Sequence, residues 1–134
     1  MEINQVTGEI IGAAIRVHSS LGPGLLESTY RSCLHHELVL RGLEVRAEWP
    51  VPVAYRGLQI DVGYRVDLLV EDRVLVELKA VERTLVIHKA QLLSYLRLSN
   101  RPMGLLINFN VVRLRHGISR ISNQLARGLR RGTW

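Results

Sequence analysis

Apolar residues recur with two different periods along this chain, and the changes of period divide it into elements. Ile10, Ile11, Ala14, Val17 and His18 share one face at helical spacing, so a first helix is expected, capped by Asn4 or Thr7. Leu21, Gly22, Pro23 and Gly24 end it, because glycine and proline together break a helix and turn the chain. A second helix is expected over about residues 25–40, with Leu26, Tyr30, Cys33, Leu34 and Leu38 on its core face and Gly42 as its stop.

The period then falls to two. Val45, Ala47, Trp49, Val51, Val53 and Tyr55 alternate with mostly polar positions, and Pro50 and Pro52 mark an edge strand or a bulge. Arg56 and Gly57 make a turn. Ile60, Val62, Tyr64, Val66, Leu68 and Val70 alternate again, and residues 74–81 form a third strand. Helical spacing returns over about residues 87–98, where Ala90, Leu93 and Leu96 are apolar, and Asn100, Arg101 and Pro102 terminate it. Residues 103–109 are a continuous apolar run, the pattern of a strand covered on both faces. The order is α-α-β-β-β-α-β, a mixed α/β (α+β) class, followed by a segment over about residues 111–134 with a last short helix as one outcome.

The hairpin between the second and third strands gathers charge. If Glu71, Asp72 and Arg73 form a three-residue loop, Val70 faces Val74 and Asp67 faces Glu77, and side chains directly opposite on an antiparallel pair share a face. Period two puts Lys79 on that face beside Glu77. A two-residue loop would instead pair Asp67 with Val76 and destroy the arrangement. Two close carboxylates repel unless a cation is shared between them. Mg²⁺ suits them, since it takes hard oxygen ligands and keeps several waters for a phosphate to displace. A lysine beside it holds a water nucleophile and counters growing phosphorane charge. The plainer alternative is a Glu77–Lys79 ion pair on a half-exposed strand.

Net charge changes the picture only in its placement. The formal charge is +6, yet all twelve acidic residues precede Arg101, after which the chain has arginines and no acid. Arg113, Arg115, Arg120, Arg127, Arg130 and Arg131 form a basic arm suited to phosphate contacts, or else a solvated tail. Only Lys79 and Lys89 among the eighteen basic residues are lysine, which draws attention to position 79 as a compact point charge. At 134 residues the chain fits one domain, 1–134, and 47% apolar content is globular rather than disordered. The single cysteine, Cys33, excludes an internal disulfide and a multi-cysteine zinc site, and falls on a core stripe. No apolar run approaches the ~18 residues a bilayer requires, and the opening MEINQVTGEI carries no signal-peptide pattern, so a cytoplasmic protein is expected.

Further polar groups can reach the same place. Gln91 and Tyr95, four apart, share a face of the leucine-rich helix that follows the third strand. Glu27 falls in the first turn of the second helix, where the dipole favours a carboxylate whether or not it serves a site. His35 and His36 read as surface residues and His88 as a cap. Trp49 reads as strand packing, and Trp134 carries no motif.

Gly24, Glu27 and Tyr30 spell G-x-x-E-x-x-Y, and the chain resembles the bacterial GxxExxY proteins over nearly its full length. That family is assigned to the PD-(D/E)xK nuclease superfamily, whose restriction-endonuclease-like core is α-β-β-β-α-β; the first helix read above would precede that core. Asp67 and the run Glu77-Leu78-Lys79 look like its D…E-x-K signature, with Val66 where the usual proline stands. Gln91-Leu92-Leu93-Ser94-Tyr95 is similar to the Q-x-x-x-Y motif of RecB-type exonuclease domains. The resemblance implies that Asp67, Glu77 and the Leu78 carbonyl ligate Mg²⁺ or Mn²⁺, with Glu27 as an additional metal or water ligand. It implies that Lys79 activates the attacking water, that Gln91 fixes Lys79 or a substrate phosphate, and that Tyr95 packs behind Gln91 or touches the phosphate. Some relatives place a helical histidine on the metal, which His18 matches; the alternative is a satisfied core histidine.

The expected function is therefore metal-dependent hydrolysis of phosphodiester bonds in DNA or RNA, with the C-terminal arginines steering the substrate. The rival is a catalytically silent nucleic-acid- or protein-binding module on the same fold. A homodimer through the first helix or the edge strand is compatible with both.

Overall fold

The structure, a computed structural model, describes residues 1–124. Two helices come first, α1 (Ile3–Leu21) and α2 (Glu27–Leu40). Val6, Ile10, Ala13, Ala14 and Val17 form the buried stripe of α1. The helix starts earlier than expected, with Glu2 rather than Asn4 or Thr7 at its N-cap, because Gln5 Oε1 accepts the Glu2 N–H at 2.8 Å there. Asn4 and Thr7 lie inside the helix, where the Thr7 hydroxyl donates to the Asn4 carbonyl at 3.1 Å. Tyr30, Leu34 and Leu38 are the buried face of α2, whereas Leu26 stands at its N-cap and is exposed rather than in the core.

The strands are β1 (Val45–Pro50), β2 (Val53–Tyr55), β3 (Leu58–Ile60), β4 (Arg65–Val70) and β5 (Val74–Lys79). After helix α3 (Val86–Ser99) come β6 (Met103–Asn108), a single 3-10 turn at Leu114–Gly117, and β7 (Ile118–Ser122). The five-stranded sheet runs β1-β4-β5-β6-β7, with β5 and β6 parallel and the other pairs antiparallel. This is a mixed α/β sheet consistent with a restriction-endonuclease-like core behind an extra N-terminal helix.

Each of the two expected long strands breaks in the middle. Pro50 and Pro52 cannot donate to a ladder, so β1 ends as an edge strand. Val51, between them, turns inward and donates its N–H to the Tyr64 carbonyl at 3.0 Å. On the facing segment, Gly63 at φ +83 donates to the Asp61 carboxylate at 3.0 Å and turns the chain before β4. What lies between, β2 and β3, forms its own exposed hairpin.

The expected arginine-rich tail is also partly sheet. Ile118–Ser122 pairs with β6, and Gly117 makes the approach possible, since a Cβ there would stand 2.2 Å from the Asn108 carbonyl oxygen. A last short helix, Arg127, Arg130, Arg131 and Trp134 lie outside the described residues.

One apolar layer joins α1 and α2 to Leu68, Val70, Val74, Val76, Leu78, Leu105 and Ile107 of the sheet. A second places Leu92, Tyr95 and Leu96 of α3 over Leu69, Leu75 and Leu106. The buried stripe of α1 is thus spent inside the molecule, while Ile15 and Leu21 of the same helix are exposed. No helix among the described residues is long and apolar enough to cross a membrane.

Candidate active site

The loop joining β4 to β5 is three residues long. Val70 pairs with Val74, Leu69 with Leu75 and Leu68 with Val76. Glu71 and Asp72 take left-handed φ of 52° and 56°, which lets so short a loop reverse the chain. Extending that register by one residue sets Asp67 opposite Glu77.

There the backbone ladder gives way to side chains. The Asp67 N–H donates to Glu77 Oε1 at 3.2 Å, and the Leu78 N–H donates to Asp67 Oδ2 at 2.8 Å. Alternation on β4 slips at the same point: Leu68 and Val70 face the first core layer, but Val66 joins the second. Across the β1–β4 pair, between the partners Ala47–Leu68 and Trp49–Val66, Glu48 holds a left-handed φ of 49°. Strained backbone of this kind survives where surrounding structure overdetermines it.

Glu77 is buried, and its carboxyl is pushed up to about 8. Burial is the largest cause, followed by the Asp67 charge and a side-chain hydrogen bond with Asp67; the Lys79 ammonium opposes the shift. Glu77 therefore holds a proton near neutral pH unless a cation takes its place. Lys79, half-buried at the end of β5, shares Glu77's side of the strand by period two.

Tyr95 of α3 is buried near this pair, 5.8 Å from Tyr64 between ring centroids. Burial, the Glu77 charge and Tyr64 all raise its phenol. Gln91, one turn earlier, is exposed and makes no hydrogen bond among the described residues. His88 caps the helix, its Nδ1 accepting the Leu85 N–H at 3.0 Å.

The Gly-rich turn is built around Tyr30. Its hydroxyl donates to the Gly22 carbonyl at 2.5 Å and accepts the Leu25 N–H at 3.1 Å, while its ring stacks on Phe109 at 4.4 Å. Gly24 supports the turn with φ +94. Glu27 follows at the first turn of α2, half-buried and without a hydrogen bond or ion pair among the described residues. His18 lies 2.7 Å by Nε2 from the Val111 carbonyl. A carbonyl only accepts, so Nε2 carries the proton and Nδ1 alone remains for a ligand.

Two residues of the site escape sequence reasoning. Arg31 of α2 donates from Nη1 to Asp67 Oδ1 at 3.0 Å, and its Nη2 stands 3.8 Å from Glu48. Asn108 is buried at the end of β6, beside Lys79 in the parallel register. Its amide donates to the Val81 carbonyl at 2.9 Å, and its oxygen accepts the N–H groups of Val81 and Asn110. It thereby ties down the backbone just past Lys79. The only signal for either was its place beside a motif residue: Arg31 follows Tyr30, and Asn108 sits in the last apolar strand.

No cluster of three or more His, Cys, Asp or Glu side chains able to hold a metal exists among the described residues. The oxygen donors gathered at this point are the Asp67 and Glu77 carboxyls. Carboxylate oxygens are hard donors of the kind Mg²⁺ takes, and Mg²⁺ keeps several waters beside one or two of them. β5 and β6 finish at this same end of the sheet, and the segment carrying Arg113 and Arg115 leaves from it, both side chains exposed. Arg120 instead faces α1, donating to Thr7 and Asn4.

Comparison with curated proteins and with solved structures gives no match. A family model does match, over residues 4–121. With nearly the whole chain covered, and with two carboxylates and a lysine collected where two strands part, the chain belongs to the PD-(D/E)XK nuclease superfamily.

Proposed function

We propose that this protein is a Mg²⁺-dependent nuclease of the GxxExxY group that hydrolyses phosphodiester bonds. Members of the superfamily act on nucleic acid and generally use a divalent metal, typically Mg²⁺. The observation that carries the reading is the pairing of Asp67 with buried Glu77, whose Oε1 accepts the Asp67 N–H at 3.2 Å.

Asp67, Glu77 and the Leu78 carbonyl are the groups that would hold the metal, with Glu27 reaching it directly or through water. When bound, the metal supplies Lewis-acid polarisation of the phosphate and lowers the pKa of a coordinated water. Lys79 holds and orients the attacking water and offsets the charge that grows on the phosphate. Gln91, free on the surface of α3, fixes Lys79 or a substrate phosphate, and Tyr95 packs behind it. Arg113 and Arg115 draw the phosphate backbone toward this end of the sheet. His18 lends Nδ1 to the metal shell or, through Nε2, steadies the segment that carries those arginines. A nucleic-acid substrate and one free cysteine suit a cytoplasmic protein. A second copy would meet the β1 edge or exposed Ile15 and Leu21 of α1.

The test is Mg²⁺ and Mn²⁺ calorimetry beside a cleavage assay on mixed DNA and RNA, with wild type and the double variant Asp67→Ala, Glu77→Gln. Binding and cleavage that both vanish in the variant establish the nuclease. Binding without cleavage makes the protein a silent binding module, and no binding removes the metal reading altogether.

A further inference from the structure

Each carboxylate oxygen of Asp67 already accepts a hydrogen bond from the protein. Oδ1 accepts from the Arg31 guanidinium at 3.0 Å and Oδ2 from the Leu78 N–H at 2.8 Å. The Arg31–Asp67 pair is also well covered, with side chains 26% and 14% exposed, so solvent screens it less than an ordinary surface pair. A second acceptor stands within reach: Glu48 Oε1 lies 3.8 Å from Arg31 Nη2, on a side chain that is 64% exposed.

We propose that Arg31 is an internal counter-cation of the site, displaced from Asp67 by a divalent cation and then held by Glu48 alone. The inference rests on the nuclease reading only in taking Asp67 as a metal ligand.

Three features support it. A guanidinium on Asp67 Oδ1 repels any cation on that carboxylate, and in a half-buried place the repulsion is strong. Glu48 is next to Asp67 in space, because the register sets it between the pairs Ala47–Leu68 and Trp49–Val66. Its backbone there is left-handed, with φ of 49°, and its carboxylate lies 3.8 Å from Arg31 Nη2. The two acceptors are thus reached by the two terminal nitrogens of one guanidinium, Nη1 on Asp67 and Nη2 toward Glu48. Arginine also stays charged at every working pH, so this competition is separate from any proton held at Glu77. Arg31 acts through Asp67, as a positioning residue.

The experiment is Mn²⁺ calorimetry on the full chain at low salt, comparing wild type with Arg31→Met, Glu48→Gln and the double variant. Arg31→Met should bind Mn²⁺ about tenfold more tightly, the effect of freeing a carboxylate from a charged hydrogen bond. Glu48→Gln should bind about threefold more weakly, the scale of a half-exposed ion pair. The double variant should match Arg31→Met, because Glu48 acts only through Arg31. Metal-free Arg31→Met should melt lower than wild type and gain more on Mn²⁺ addition. If Arg31→Met does not fold, Arg31→Gln carries the same expectation.

Unchanged or weaker Mn²⁺ binding in the Arg31 variants overturns the proposal and makes Arg31 a brace for Asp67. No binding in any variant overturns it together with the metal reading. Tighter binding without cleavage of nucleic acid upholds the proposal and removes the nuclease reading alone.

Discussion

Asp67 and Glu77 are joined through the backbone: the Asp67 N–H donates to the Glu77 carboxyl at 3.2 Å while Asp67 Oδ2 receives the next amide, that of Leu78, at 2.8 Å. Two carboxyl groups have taken over positions that a regular ladder would give to peptide oxygens. Each is oriented by the strand that carries the other. The site's geometry is therefore a property of the hairpin, and its chemistry depends on the proton that Glu77 retains.

That proton makes folding stability depend on pH. Glu77 is raised from an ordinary 4.5 to about 8, so between those values the folded chain keeps a proton the unfolded chain has lost. The native state binds more protons there, and stability falls as pH rises through that window. Below it both states are protonated and the effect is absent. Denaturant unfolding in chelator, from about pH 5 to about pH 9, should show this decline. Glu77→Gln, which cannot ionise, should flatten it.

The same proton opposes metal. With Glu77 as the proposed ligand, Mg²⁺ takes its carboxylate form, so affinity should rise with pH until about 8 and level off above. Near neutral pH, binding should release about one proton, read from calorimetry in buffers of different ionisation enthalpy. No proton release at any pH would mean that Glu77 is already ionised or takes no part in binding.

The hairpin was legible only as far as its loop length: the sequence allowed Glu71, Asp72 and Arg73 as a three-residue loop, or a two-residue one. Because β4 and β5 are buried on both faces, burial alone did not choose between them; the observed Val70–Val74 pairing does. Both helices of the N-terminal pair were legible from their apolar stripes, which end at glycines. Arg31 was not, since helical spacing gives no sign that one arginine of α2 reaches across to the sheet. Glu48 was hidden too: its left-handed φ of 49° lies in an edge strand and has no signature in composition. β7 was masked by the arginines around it, although Ile118 and Ile121 are half-buried there.

Tyr30→Phe isolates the hydroxyl of the Gly-rich turn. The variant keeps the stack on Phe109 and loses the bonds to the Gly22 carbonyl and the Leu25 N–H. Leaving those two backbone groups without their partner should cost about 1–3 kcal/mol. A lower denaturant midpoint at unchanged slope checks it, because the compactness of both states stays the same. A neutral result would mean water replaces the hydroxyl.

Asn108→Ala removes three hydrogen bonds at once, two to Val81 and one to Asn110, from a side chain only 2% exposed. Stability should drop by about 2–4 kcal/mol, mostly from backbone groups left unpaired.

Gly117→Ala reaches the same strand end from the other side. The added Cβ would lie 2.2 Å from the Asn108 carbonyl oxygen, backbone against backbone, so β6 or the turn before β7 must shift. Overpacking of this kind typically costs about 1–3 kcal/mol. Because Asn108 pairs with Lys79 in the parallel register, the displacement should reach the site as well as the fold. The check separates the two: unfolding for stability, and Mn²⁺ affinity beside cleavage rate for Lys79. If β6 moves, Gly117→Ala should leave Mn²⁺ affinity near wild type, since Asp67 and Glu77 are held by the β4–β5 hairpin, yet lower cleavage through Lys79. Equal loss of both would mean that the strain spreads across the whole sheet, and no loss of either would place the shift in the turn alone.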